Sequence, residues 1–411
     1  MSPTVRGRRR RSSTDAPPRS RFPAISRSRV SIDQVMSRPI EGAERDRLSW
    51  VDAGRGVSML LVTVFHVTFV MDGAFGPRVG IWPAIDDALV PLRMPLFFFI
   101  SGLLAAQAVR KPLDRTRRRT SGLVYLYLLW SAIQVVHLFY SLPGRGASAP
   151  DIYDVVASFL FPTGLWYFWA LVVFFLVSRL LVVVLRDRSI WALPAIAALA
   201  VVSPLVDQAT DGIINSEFGA VFFGAACANF VWFYLGLHVR HGALDFVAHA
   251  TWRKALAASV GYVVLYLVVA ALGLATELRW LLSAVVLYAA LQLLGLPSYR
   301  GRIGRSLAAV GRRTLPVYAS QWIALHLLAK LIVEYPSLAP LGPHAVVASI
   351  ATPVFALAIV ALTWWIGGLV LRSPLSWLFD PPQWLVRPRG ARSRRDDVSR
   401  HTEEGAPKGR S

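Results

Sequence analysis

Two residues in one apolar stretch have the types and the spacing for chemistry. The segment Leu48-Ser49-Trp50-Val51-Asp52-Ala53-Gly54-Arg55-Gly56 runs into apolar sequence that ends in Phe65-His66-Val67-Thr68-Phe69. Arg55 is a permanent cation, and His66 is the side-chain type that titrates closest to neutral pH. They are 11 residues apart, which in an α-helix returns to within roughly 20° of the same face and spans roughly 16 Å of axis. One face then carries a cation near the membrane edge and a titratable base about half a bilayer deeper. A neutral imidazole can accept a proton from an attacking hydroxyl, or it can simply hydrogen-bond a neighbouring helix; the pair alone leaves both open. Arg55 has the planar fork suited to two-point phosphate contact, the alternative being an arginine that snorkels to the membrane edge. Asp52, one turn earlier, is within reach to orient it.

The elements that must position these residues are membrane helices. Hydrophobic residues make up 55% of the 411, and they come in long runs rather than short amphipathic stripes. Ten apolar spans are predicted, at about 56–72, 91–108, 121–142, 164–185, 189–206, 218–238, 255–273, 279–297, 314–334 and 345–371. Of the 44 Lys and Arg, 37 fall in the two terminal segments and in alternate loops, and four in the opposite connections. That asymmetry predicts cytoplasmic termini and an even number of spans. The expected architecture is an all-α polytopic transmembrane bundle, residues 48–372. It lies between a disordered basic arm, 1–47, and a disordered basic tail, 373–411. The net charge of +20 sits on flanks and loops, where anionic lipid is its expected partner; nucleic acid is not expected. One cysteine, Cys227, rules out an internal disulfide and a cysteine metal cluster, and no metal is expected.

Four blocks carry a family resemblance. The Asp-x-x-Arg-Gly and Arg-x10-His pattern over Asp52, Arg55 and His66 resembles the first-helix signature of the acyltransferase-3 family of integral membrane acyltransferases. Pro95-Leu96-Phe97-Phe98-Phe99-Ile100-Ser101-Gly102 resembles its second helix, and Gly164-Leu165-Trp166-Tyr167-Phe168-Trp169-Ala170-Leu171 its fourth. Gly311-Arg312-Arg313-Thr314-Leu315-Pro316-Val317-Tyr318 resembles the opening of a late helix, so the likeness covers roughly 47–372.

The resemblance implies a multi-pass enzyme of the cell membrane that moves an acyl group, acetyl being expected, from cytoplasmic acyl-coenzyme A to a hydroxyl of a glycan or glycosylated small molecule. His66 is then the general base and Arg55 part of the donor site. Arg115 and Arg118 fit the family's Arg-x-x-Arg pattern and form a phosphate clamp in the loop after the second span. Ser101, Trp166 and Tyr318 are supporting residues, Tyr318 as a donor to a developing oxyanion. Family members often carry a histidine three residues after that tyrosine; here Gln321 stands there, an amide that can orient a group but not act as a base. His137 and His326 are read as core histidines, Asp86, Asp87, Asp207 and Asp211 as solvated outer-loop residues, and Lys330 with Glu334 as a surface pair. The alternative function is a transporter or flippase of a glycan or lipid-linked substrate, with Arg55 and His66 as intramembrane sites.

Overall fold

A computed structural model describes residues 32–75, 80–141, 151–213, 221–335 and 344–382. The chain divides into two units, Met1–Arg45 and Asp46–Ser411. In the first, the described residues from Ile32 onward are helical; the following concerns the second.

Every regular element among the described residues is helical. In order they are α1 (Ile32–Phe75), α2 (Trp82–Ala105), α3 (Leu113–Ser141), α4 (Ile152–Leu160), α5 (Trp166–Leu185), α6 (Leu193–Val201) and α7 (Ser203–Thr210). Then come α8 (Phe223–His238), α9 (Arg240–Ala248), α10 (Trp252–Ala271), α11 (Arg279–Gly295), α12 (Arg302–Arg312), α13 (Thr314–Glu334) and α14 (Ala345–Val370). Among the described residues, six stretches are long and apolar enough to cross a bilayer: Ser49–Gly73, Trp82–Ala105, Trp166–Val201, Trp252–Ala271, Thr314–Ile332 and Ala345–Val370. The spans expected at 121–142, 218–238 and 279–297 fall on α3, α8 and α11, outside that set. At 16 and 17 residues, α8 and α11 rise only about 25 Å, short of a hydrocarbon core of about 30 Å. The chain turns after α5 at Arg186, the one described non-glycine residue with positive φ, +50°.

Helix α2 forms the centre. Its Leu96, Phe98 and Ile100 are wholly buried, and it packs directly on α8. Two glycines make that contact possible: a Cβ on Gly102 would overlap the Phe233 carbonyl, and one on Gly236 the Phe99 carbonyl. The backbones therefore touch where larger residues would hold them apart, as small residues permit in membrane helices.

Helices α1 and α13 run parallel and in register. Arg55 Nη2 donates to Thr314 Oγ1 at 2.6 Å, Thr63 Oγ1 to Gln321 Oε1 at 3.0 Å, and His66 meets the Trp322 ring at 5.5 Å. Both α1 residues singled out by spacing thus face one helix. Beyond them Val67 and Met71 pack with Leu325, Leu328 and Ile359 in a separate apolar cluster. The basic loop after α11 holds an element not expected from sequence, α12. Its Gly304, Ala308 and Gly311 are buried while Arg302, Ile303 and Arg305 face outward. The tail, as far as it is described, packs on α3: Trp130 Nε1 donates to the Leu378 carbonyl at 2.8 Å, and Phe379 stacks on the Trp130 ring.

Candidate active site

Beside the α1–α13 contact lies a cavity of about 400 Å³. Helix α1 contributes Val62, Phe65 and His66, and α2 contributes Arg93, Met94 and Pro95. Helix α5 adds Trp166, α8 adds Asn229 and Trp232, and α13 adds Tyr318, Gln321 and Trp322. Further wall comes from Gln134 on α3, from Asp207 on α7 and from Thr276, Glu277, Arg279 and Trp280 at the entry to α11, among others. His66, Trp166, Tyr318 and Gln321, four residues picked out in the sequence, therefore meet around one space.

His66 sits between the rings of Phe65 and Trp322, at centroid distances of 5.1 and 5.5 Å. Its buried Nδ1 makes no hydrogen bond of normal geometry to the described residues. Gln134 Nε2 and Asn229 Oδ1, also on the cavity wall, are likewise buried without a partner among the described residues. Three unmatched polar atoms around one cavity fit a ligand or water that supplies the missing partners, since burying such groups unpaired is costly. Gln321 is 2% exposed and held by Thr63. Tyr318 packs edge-on against Tyr167 and Phe168.

Ser101 lies behind this wall. Its hydroxyl bonds the Phe97 carbonyl at 2.8 Å and shares a 2.9 Å contact with the Tyr167 hydroxyl, so it braces the tyrosines rather than lining the cavity. Phe97 to Phe99 are core packing.

Asp52 and Arg55 lie 14 and 11 residues before His66 on α1 and are not on the cavity wall. Arg55 is bound to Thr314, and Asp52 lies 3.8 Å from Arg312. Gly56 and Gly311 bring α1 and α12 together there: a Cβ on either would overlap the other helix's main chain. Arg313, the residue before Thr314, turns to α14 instead, its guanidinium over the Trp364 ring at 4.5 Å. The expected clamp residues Arg115 and Arg118 fall on the first turns of α3, and their side chains lie outside the described residues.

Several expectations are corrected. Asp86 is not a solvated loop residue: it is 7% exposed in the first turns of α2, 4.0 Å from Arg93. Asp207 remains exposed, but its carboxylate accepts the Gly224 N–H at 2.8 Å and borders the cavity. Partial burial raises its pKa from the ordinary carboxylate value. Arg93, expected at the outer lip of a span starting at 91, lies eleven residues into a helix that starts at Trp82 and is buried. A cation that deep in an apolar helix was the signal available in the sequence; a late reading of the helix start hid it. Glu277 and Arg279, in a short loop, gave no such signal. His326 is accounted for by the Trp322 carbonyl, 3.0 Å from Nδ1, and Lys330 and Glu334 do pair, at 3.5 Å.

No curated protein and no solved structure matches the chain. A family model does, that of the acyltransferase-3 acyltransferase domain, over residues 48–371. That match spans most of the chain and all four blocks that carried the resemblance, together with every wall of the cavity. The chain belongs to the acyltransferase-3 family of membrane acyltransferases.

Proposed function

We propose that this protein transfers an acyl group, acetyl in the first instance, from cytoplasmic acyl-coenzyme A to a hydroxyl of a cell-envelope glycan or a glycosylated small molecule. The observation that carries the reading is the gathering of His66, Tyr318, Gln321 and Trp166 around one cavity, with Arg55 on the same face of α1, 11 residues before His66. Donor phosphates bind near Arg55, with Arg115 and Arg118 completing the clamp, and the thioester extends roughly 16 Å along α1 to His66. His66 takes the acceptor's hydroxyl proton as its oxygen attacks the thioester carbonyl. Carbon–sulfur cleavage then releases the coenzyme thiolate, which takes the proton back. Tyr318 and Gln321 orient the reacting groups, Asp52 and Ser101 hold the framework, and the stacked aromatic wall at Trp166 offers a face to a sugar ring.

In this reading residues 48–372 form the enzyme, with ten spans in the plasma membrane and both flanks in the cytoplasm. The parallel run of α1 and α13 supports it, because two parallel spans need an odd number of crossings between them. Incubating membranes that contain the protein with radiolabelled acetyl-coenzyme A and crude cell-envelope glycan tests the function. Label enters the glycan if the protein is this enzyme; a transporter or flippase leaves it on the donor.

A further inference from the structure

We propose that Arg93 is a catalytic residue of this site, its guanidinium supplying the N–H donors that hold the acyl oxygen as negative charge develops on it. The inference rests on the acyl-transfer reading above.

Arg93 is 9% exposed and lies in the apolar run of α2, between Leu92 and Met94. Burying a cation there is costly unless its charge and its donors are both satisfied. Its charge is met only in part. Asp86 Oδ1 is 4.0 Å away, at the limit of ion pairing and well beyond the roughly 2.7–2.9 Å of a charge-assisted hydrogen bond. The Cζ atom sits 3.9 Å from the centroid of the Phe65 ring, a contact that uses the face of the guanidinium and none of its N–H groups. Arginine has five donors, and among the described residues none makes a hydrogen bond. The side chain borders the cavity, so those donors have one place to go.

Phe65 also ties Arg93 to the base. It is the residue before His66, and its ring lies near both the imidazole, at a centroid distance of 5.1 Å, and the guanidinium, 3.9 Å from Cζ. The result is a proton acceptor and a charged fork fixed beside the same space. Acyl transfer requires that pair. As the acceptor oxygen bonds to the carbonyl carbon, the carbonyl π pair moves onto oxygen and the hydroxyl proton moves to His66. Arg93 stabilises that oxyanion. Collapse re-forms the carbonyl and breaks the carbon–sulfur bond, and the thiolate recovers the proton. Nothing is oxidised or reduced. Tyr318 offers a single neutral donor, whereas Arg93 offers a charged fork in a site with Met94 and Trp322 as neighbours, where such a donor acts most strongly.

The test is steady-state kinetics in membranes with radiolabelled acetyl-coenzyme A and crude cell-envelope glycan, for Arg93→Met, Arg93→Lys and Arg93→Ala. Losing an oxyanion donor lowers turnover about 100- to 1000-fold, and the apparent constants for donor and glycan stay within about twofold of the parent's. Millimolar guanidinium should restore turnover in Arg93→Ala but not in His66→Ala, which a purely structural role does not predict. If turnover holds while the glycan constant rises, Arg93 binds acceptor and the proposal is wrong. It is equally wrong if membrane-inserted Arg93→Ala is inactive and unresponsive to guanidinium. If the unsubstituted protein transfers no label, the functional reading fails and takes this one with it; transfer with an unaffected Arg93→Met removes this one alone.

Discussion

Replacing Thr314 by valine isolates the role of Arg55. The side chains have the same shape, Thr314 is 3% exposed, and the change removes only the oxygen that accepts from Arg55 Nη2 at 2.6 Å. A hydrogen bond to a charged group contributes about 1.5–3 kcal/mol. Arg55 keeps its charge in the variant and loses its fixed orientation, so the lower end of that range applies. About 1.5 kcal/mol corresponds to roughly a tenfold change in affinity. Donor titrations in membranes should show the apparent constant for acetyl-coenzyme A raised about tenfold, with turnover within about twofold. Thr314→Ser, which keeps the hydroxyl, should restore the parent value. With acetyl-pantetheine, which lacks the nucleotide phosphates, parent and Thr314→Val should be equal. An unchanged donor constant with lowered turnover would refute the reasoning. It would move Arg55 from phosphate binding to the reaction centre, against its place away from the cavity wall.

Ser101→Ala should keep more than half of the activity, because Ser101 braces Tyr167 from behind the cavity and loses a contact of about 1 kcal/mol; a thousandfold loss in label transfer would make it a nucleophile instead. Topology reporters placed after Ser411 and near Arg117 should both report cytoplasm, and one near Ala149 the outside; an external tail would mean an odd number of crossings.

Some of this site could be read in the sequence for definite physical reasons. Helical periodicity put Arg55 and His66 on one face, and both do meet α13, at Thr314 and Trp322. The convergence of Trp166, Tyr318 and Gln321 on His66 could not follow from periodicity. It depends on which helices pack together, information that the family resemblance carried and spacing does not. Arg93 was hidden by its own flank: Pro83, Asp86 and Asp87 read as loop, yet they form the first turns of α2, where proline is tolerated because early N–H groups need no helical partner. Asp86 is buried there, 4.0 Å from Arg93 two turns on. Helix α12 escaped notice for a related reason. Its arginines match a cytoplasmic loop, and only the spacing of Gly304, Ala308 and Gly311 marks the face it buries. Glu277 and Arg279 reach the cavity through a short connection whose path no local pattern specifies.

The most direct test of the central claim is label transfer from acetyl-coenzyme A to cell-envelope glycan by membranes carrying the parent protein, His66→Ala or His66→Gln at matched expression. Neither substitution disturbs the bundle much, and glutamine keeps polarity and hydrogen bonding while removing the base. The account predicts transfer by the parent and less than a tenth of it by either variant. Transfer by His66→Gln above a tenth of the parent rate would contradict His66 as the general base, and no transfer by the parent would contradict the function itself.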